Sequence, residues 1–325
     1  MLPIAFLGPQ GTFAEQAART FAGAELDSYE FVPARTVSLA LGAVRDGEVE
    51  LACVPVENSV EGAVGTTMDG LAVGAPLEAV AEVLLPIRFS VLVRPGTPAA
   101  KVRTVASHPH ALAQVQTWLE EHLPDAEAQA ATSTAAAAVG VAKGEFDAAV
   151  TAPVAAVHYP LEEFATGVAD VGDAVTRFFV LARPGRTPAP TGADRTSVVA
   201  VAERNRTGVL AEMLTELALR GINLSRIESR PLKGRFGEYR FYLDFDGHLA
   251  EQRVGDALAA LHRRCRDLRF LGSYPRADRG VTSAEPGNTD ADYVAAAGWL
   301  AGLRDDQARL ASTGTRSNSK PNSDR

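Results

Sequence analysis

The sequence predicts an α/β protein whose last third changes to an α+β unit, and three observations carry that reading. From residue 1 to about 184, short apolar runs alternate with amphipathic helical stretches, the pattern of α/β layers around a mainly parallel sheet. A segment rich in Pro, Gly and Thr, Arg183 to Arg195 (RPGRTPAPTGADR), then interrupts the pattern. Beyond it the order becomes βαββαβ, the ferredoxin-like arrangement. The first part is long enough for one layered stack or for two lobes with a cleft between them.

Taken in order, Ile4 to Leu7 is a strand that ends in Gly8-Pro9-Gln10-Gly11-Thr12. Phe13 to Phe21 is helical, with Thr12 as N-cap and Glu15 placed to complete a capping box. Glu50 to Val56 is a strand, and Gly62 to Leu71 a helix after Glu57-Asn58-Ser59. Val83 to Val93 is an extended apolar crossing interrupted by Pro86. Val102 to Ala106 leads through Ser107-His108-Pro109-His110 into a helix ending near Glu121. Thr134 to Lys143 is an Ala-rich helix, Phe146 to Val150 a strand, and Phe178 to Ala182 another. After the linker, Ser197 to Ala202 is a strand. Val209 to Leu219 is a helix with Leu210, Met213, Leu214 and Leu217 on one face. Asn223 to Ser229 and Tyr239 to Phe245 are strands around the turn Lys233 to Gly237. Val254 to His262 is a helix and Leu268 to Tyr274 the last strand. Ala291 to Leu303 can form one helix, and Ser312 to Arg325 has the composition of a disordered tail.

Composition narrows the function classes. A net charge of -8 and a pI near 5.4 argue against a nucleic-acid binder. Cys53 and Cys265 lie too far apart in sequence for a metal spacing or a disulfide framework, and Cys53 sits in an apolar run as a small core residue. The start lacks a basic n-region, and no apolar run is long enough to span a bilayer, so a cytoplasmic protein is expected. The Gly-rich start is neither a phosphate-binding Walker loop nor a dinucleotide fingerprint, and no HExxH or Cys/His cluster implies a metal.

Three polar clusters fall where ligands gather in parallel sheets, at strand ends and helix starts: Gly8 to Thr12, Glu57 to Ser59, and Ser107 to His110. Thr12 and Ser59 serve equally as helix caps or as ligand contacts. Glu57, directly after an apolar run, must be solvated, paired or functional. His108, held extended by Pro109, is a loop residue or a site residue. The fourth feature is Thr176-Arg177-Phe178 at the mouth of an apolar strand. It offers a hydroxyl beside a guanidinium fork matched to a carboxylate.

Together these clusters resemble one family. GPQGTFAEQA, PVENSVEG, SHPHAL, DAAVTAP and VTRFFVLA stand in the order and spacing of prephenate dehydratases. Asn205 to Leu210 (NRTGVL) and Gly221 to Pro231 (GINLSRIESRP) resemble an ACT regulatory domain. The resemblance covers about residues 3 to 275 and implies a catalytic region like type II periplasmic binding proteins. One lobe would hold residues 1–77 plus 178–184 and the other 78–177. A linker at 185–195, an ACT domain at 196–275 and a tail at 276–325 would follow. No chorismate mutase segment precedes the first motif, so a monofunctional enzyme is expected.

The implied reaction is loss of CO2 and water from prephenate to give phenylpyruvate, a step of phenylalanine biosynthesis. Aromatisation drives it, so no cofactor and no metal are expected. The resemblance makes Thr176, Arg177 and Glu57 the expected catalytic residues. Arg177 would pair with a carboxylate, Thr176 would hydrogen-bond the departing oxygen, and Glu57 would supply a proton. Thr12, Asn58, Ser59, Ser107 and Phe178 are the expected substrate contacts. The chain departs from the family wording at Ala174, where Asn is frequent and Asp173 is the available substitute. It departs again at His110, where Gln is common, and at Thr207, where Pro is frequent.

In related ACT domains phenylalanine binds between two subunits. The matching positions are Gly208, Val209, Leu210, Asn223, Leu224, Glu228, Ser229, Arg230 and Pro231. A homodimer or homotetramer controlled by L-phenylalanine is therefore expected, with no nucleic-acid or membrane partner. For Glu228 and Arg230 the competing reading is an ion pair on a strand edge. Two other functions fit less of the sequence. Arogenate dehydratase has the same chemistry on an amino-bearing substrate. A non-catalytic amino-acid sensor explains the architecture but not TRF beside PVENS.

Overall fold

The computed structural model describes residues 1–314 apart from 61, 171, 173, 205, 233, 236 and 282. The first part of the chain runs β1 (Leu2–Leu7), α1 (Phe13–Ala22), β2 (Tyr29–Ala34), α2 (Val37–Asp46), β3 (Leu51–Asn58), β4 (Gly62–Ala63), α3 (Gly65–Leu71) and β5 (Glu78–Pro86). It crosses through β6 (Ser90–Val93), β7 (Thr104–Ser107), α4 (Pro109–Ala113), α5 (Gln116–His122), β8 (Glu127–Ala130), α6 (Thr134–Lys143), β9 (Ala148–Thr151), α7 (Ala155–His158) and β10 (Glu162–Thr166). It returns along β11 (Val175–Ala182). The last part comprises β12 (Asp194–Ala202), α8 (Val209–Ala218), β13 (Leu224–Pro231), β14 (Tyr239–Asp246), α9 (Gln252–Arg264), β15 (Cys265–Pro275) and α10 (Asp290–Gly314).

Three sheets result. The first has the order β2-β1-β3-β11-β5 with β4 on β3, the second β10-β6-β9-β7-β8, and the third β13-β14-β12-β15. The α/β reading holds, as does the ferredoxin-like third unit. The sheets of the first two lobes are mixed rather than mainly parallel. β11 returns from the second lobe and runs antiparallel to both β3 and β5, as β6 does to β9. Sheet membership also moves the crossover. β5 belongs to the first sheet, so the chain leaves the first lobe after Pro86 rather than after residue 77, and re-enters it at Val175.

The first sheet is covered on both faces, so its strands are apolar throughout. Along β1, Ile4 and Phe6 enter the core shared with α1 and the second lobe. Ala5, pointing the other way, meets Val37, Leu41 and Val44 of α2. Each fully buried Ile or Phe contributes about 1.5–3 kcal/mol by leaving water. β2 and α2 were not foreseen in the sequence. Pro33 in β2 weakens the strand signal, and the strand tolerates it because β2 is an edge.

Helix starts follow their caps. Thr12 Oγ1 accepts from Glu15 N, and Ser133 Oγ accepts from Ala136 N. The expected capping box is altered, because Glu15 reaches back to the N–H of Gly11, at 2.7 Å, rather than to that of Thr12. Glu15 is buried and also accepts from Arg19 and, across the lobes, pairs with His158 at 2.6 Å. Burial raises the Glu15 pKa, but the Gly11 N–H, Arg19 and His158 outweigh it and hold the carboxyl below its ordinary value. The helix to Glu121 is two helices, with a break at Gln114–Val115.

The third sheet does not stand apart. Its Val199, Tyr242, Leu271 and Tyr274 join the same apolar core as Met68 and Leu71 of α3. At the seam Gly272 has φ +129, and a Cβ there would overlap the Ala79 backbone of β5. Gly272→Ala is therefore expected to lose about 2 kcal/mol or more through combined backbone strain and overlap. A denaturant midpoint equal to wild type would show that the seam is looser than this. The sequence expectation of a helix at Ala291 to Leu303 is met by the longer α10. Residues 315–325 of the expected tail lie outside the described residues.

Candidate active site

Between the first two lobes lies a cavity of about 370 Å³. Three helix starts open on it: Thr12 and Phe13 of α1, Ser133 and Thr134 of α6, and His108 of the short α4. At α1 and α6 the first-turn backbone N–H groups and the positive end of the helix dipole favour an anion, whereas at α4 Pro109 has no N–H and those of His110 and Ala111 go to His108. The apolar lining comes from Leu7, Phe13, Ile87, Phe89 and Phe178. Thr176, Asn58 and Gln114 add hydrogen-bonding groups.

The geometry at Thr176 is specific. Asn58 Nδ2 donates to Thr176 Oγ1 at 2.8 Å, and Asn58 Oδ1 accepts from Val60 N at 2.8 Å. The second bond fixes which way the amide points. Because Thr176 Oγ1 accepts from Asn58, the hydroxyl proton is directed elsewhere and can be donated into the cavity. His108 Nδ1 accepts from His110 N at 3.3 Å, so a neutral His108 ring carries its proton on Nε2. Its ring meets that of His110 edge to face, with centroids 4.9 Å apart.

Of the expected site residues, the structure brings Thr176, Asn58, Thr12 and Phe178 together around this cavity. It takes Arg177 and Glu57 elsewhere. Arg177 points to the opposite face of β11. There it donates from Nε to Glu82 (2.7 Å), from Nη1 to Asp244 (2.5 Å) and from Nη2 to Tyr274 Oη (2.8 Å). The cause is strand alternation: Thr176 and Phe178 face the cavity, Arg177 and Phe179 face the third sheet. Burial alone would lower the Arg177 pKa, but Tyr274, Asp244 and Glu82 hold it raised.

Glu57 is displaced by a bulge. The register runs Arg177 to Glu57 and then Phe178 to Pro55, so Val56 is an extra residue on β3. Without it, alternation from the cavity-facing Pro55 would put Glu57 in the cavity and turn Asn58 away. With it, Asn58 faces the cavity and Glu57 pairs with Arg226 Nε of β13 at 3.0 Å. The expected proton donor and carboxylate anchor therefore do not line the cavity. Among the described lining residues, the titratable side chains are His108 and His110.

Two further expected contacts have structural partners instead. Ser59 exchanges two bonds with Val175, its N–H donating to Val175 O and its Oγ accepting from Val175 N, both at 2.9 Å. It pins the start of β11 to the end of β3. Ser107 is fully buried and donates to Val150 O at 2.6 Å. Ser107→Ala is expected to cost about 1 kcal/mol of stability and to leave substrate KM within about twofold of wild type. A KM raised tenfold at unchanged stability would return Ser107 to the site. Ala174 is buried, and Asp173 lies outside the described residues.

Several lining residues had no place in the sequence reading. Ser133-Thr134 before an Ala-rich run carries the same cap signal as Thr12 and was legible. Ile87 and Phe89 lie inside the expected crossing Val83 to Val93, where nothing in the apolar run marks them as site residues. Gln114 was hidden inside what read as one continuous helix.

The prephenate dehydratase family model matches residues 4–186, and the ACT domain model matches residues 196–263. The chain belongs to the prephenate dehydratase family. A prephenate dehydratase of Amycolatopsis methanolica is 62% identical over 305 residues, covering 94% of this chain and 98% of that protein. The solved structure of prephenate dehydratase from Arthrobacter aurescens, in complex with L-Phe, superposes with a TM-score of 0.87 at 43% identity. It covers 94% of this chain and 100% of that one. A structure described as a novel type of quorum-quenching acylase matches at 0.76 and 30% identity, over 87% of this chain and 98% of that one.

In this member of the prephenate dehydratase family the ACT positions fall into two groups. Gly208 has φ +82 and precedes α8, which begins with Val209 and Leu210. Asn223 lies at the other end of the sheet, donating to Asp246, and Leu224 opens β13. β12 and β13 both run antiparallel to β14, so the loop after β12 and the start of β13 are at opposite ends. One chain does not bring the two groups together. Asn205 lies outside the described residues. Glu228, Ser229, Arg230 and Pro231 follow along β13, where Arg230 pairs with Asp69 of α3 at 3.2 Å rather than serving as half of an edge pair with Glu228.

Proposed function

We propose that the chain converts prephenate to phenylpyruvate, CO2 and water in the cavity between the lobes, under control of L-phenylalanine bound to the ACT unit. The observation that carries the reading is Thr176, its hydroxyl oriented by Asn58, in the wall of a cavity faced by helix starts. Prephenate is a dianion with a hydroxyl on a ring that needs only to lose CO2 and that hydroxyl to become aromatic. The N–H groups at the starts of α1 and α6 hold the carboxylates, with the ring against Phe89 and Phe178.

As the ring carboxylate leaves as CO2, the electron pair of its C–C bond enters the ring and expels the hydroxyl oxygen on the far side. Thr176 donates to that oxygen as its charge develops. The bond from Asn58 strengthens the donation. The departing hydroxide takes one proton, which comes from solvent, and leaves as water. A Thr hydroxyl is a weak acid, so Thr176 stabilises and relays rather than supplying the proton outright.

The two groups of ACT positions lie at opposite ends of one sheet, which favours an effector site completed by a second subunit, hence a homodimer or a larger assembly built on it. The acylase likeness weighs less, at 30% identity against 62% and 43% for the dehydratases. Purified protein supplied with prephenate and, separately, with arogenate tests the reading. Phenylpyruvate from prephenate at a clearly higher kcat/KM than phenylalanine from arogenate is expected. The reverse preference, or no product from prephenate, would overturn it.

A further inference from the structure

Neighbouring residues on β3 and β11 face in opposite directions where the cavity wall backs onto the ACT sheet. Asn58 and Thr176 face the cavity and share a hydrogen bond. Their chain neighbours, Glu57 and Arg177, are paired directly across the same two strands and both reach the ACT sheet. We propose that Glu57 and Arg177 are positioning residues, through which the ACT sheet sets the geometry of the Thr176–Asn58 pair. The inference rests on the reading of the cavity as the active site and the ACT unit as the effector unit.

Three of the four ACT strands contribute a direct partner of Glu57 or Arg177. Arg226 of β13 holds Glu57, Asp244 of β14 holds Arg177 and lies 4.0 Å from Arg226, and Tyr274 of β15 bonds Arg177 Nη2. Glu82 of β5 accepts from Arg177 and from Arg195 of β12, closing a cluster of three arginines and three carboxylates. Ser197 of β12 donates to Asp244 and is bonded to Tyr274 Oη. Arg177, Glu82 and Asp244 are all buried.

Buried Arg177 does not part from Asp244 and Glu82 without a large penalty, so a shift of the ACT strands drags Arg177 with it, and the half-exposed Glu57 follows through its 3.0 Å pair with Arg226. No flexible joint separates them from Asn58 and Thr176, only one peptide link on each strand. A hydrogen bond of 2.8 Å weakens steeply once stretched or bent. Movement too small to unseat the domains is therefore enough to misdirect the Thr176 hydroxyl. The bulge at Val56 makes this wiring possible, since it alone puts Asn58 in the cavity and Glu57 on the regulatory side.

The experiment measures how far saturating L-phenylalanine suppresses turnover, as a ratio to each protein's own rate without it. Phenylalanine binding is followed in parallel by calorimetry. Glu57→Gln and Arg226→Gln each remove the charge pair; Glu57 is 40% exposed, so its variant is expected to fold, and a thermal melt checks the fold of Arg226→Gln, whose side chain is 9% exposed beside Asp244. Both variants are expected to bind phenylalanine while the suppression ratio falls at least about fivefold, the lower end of common allosteric coupling. Glu57→Asp, which keeps the carboxylate beside Arg226, is expected to retain part of the suppression. Wild-type suppression in both single variants would overturn the proposal. So would loss of phenylalanine binding, which would place Glu57–Arg226 in the effector site itself. A wild-type enzyme that turns over prephenate but ignores phenylalanine would remove the regulatory reading and this proposal with it. A wild type without turnover would instead refute the catalytic reading.

Discussion

Thr176→Val is expected to lower kcat by about a hundredfold, the usual scale for removing one positioned donor from a developing oxyanion. The substitution keeps the branched shape on a strand position that is 7% exposed, so β11 should still form. It deletes the hydroxyl proton aimed into the cavity and the oxygen to which Asn58 Nδ2 donates. Because the interaction grows as the leaving oxygen gains charge, kcat should fall much more than KM rises. Thr176→Ser should restore part of the rate. Steady-state phenylpyruvate formation, beside a thermal melt to confirm folding, checks this. A kcat within threefold of wild type would remove Thr176 from the mechanism.

Asp244→Asn is expected to produce the largest loss of stability among single changes at the domain seam. Asp244 is buried and faces both Arg177 and Arg226. Neutralising it leaves two guanidinium groups short of one carboxylate, a change that costs about 3–5 kcal/mol where buried pairs are broken. Burial pushes the Asp244 carboxyl up, but Arg177 and Arg226 pull harder and its pKa ends below the ordinary 3.8. A depressed folded-state value stabilises the protein fully above the unfolded carboxylate range. That contribution is lost as pH falls through the folded value, below 3.8. Urea unfolding at pH 7 should show the variant's deficit, and its stability should fall less than that of wild type on acidification. Equal midpoints at pH 7 would mean that the cluster is solvated rather than buried.

Arg177 and Glu57 show how far the sequence was legible. Local signals placed the elements, because caps such as Thr12 and periodic apolar faces such as Leu210 to Leu217 act within a few residues. They also placed the strand that carries Thr176. Which side of that strand Arg177 serves was not legible. A cation beside a hydroxyl suits an anionic substrate, yet neighbours on a strand point apart, and the partners of Arg177 lie 67, 95 and 97 residues away in sequence. Glu57 was misread for a related reason. One extra residue at Val56 reverses the facing of everything after it, and a bulge leaves no mark in the residue pattern. Ser107 shows the third limit, since a buried hydroxyl bonded to Val150 and one in a site look alike in sequence. The family motifs located the cleft, and long-range pairing decided which motif residues enter it.

The measurement that tests the central claim most directly is a crystal structure with the product phenylpyruvate bound. The carboxylate is expected at the helix starts capped by Thr12 and Ser133, with the ring against Phe178. The ring carbon that bore the hydroxyl should lie nearest Thr176 Oγ1. Phenylpyruvate seated outside this cavity, above all on the face of β11 that carries Arg177, would contradict the account.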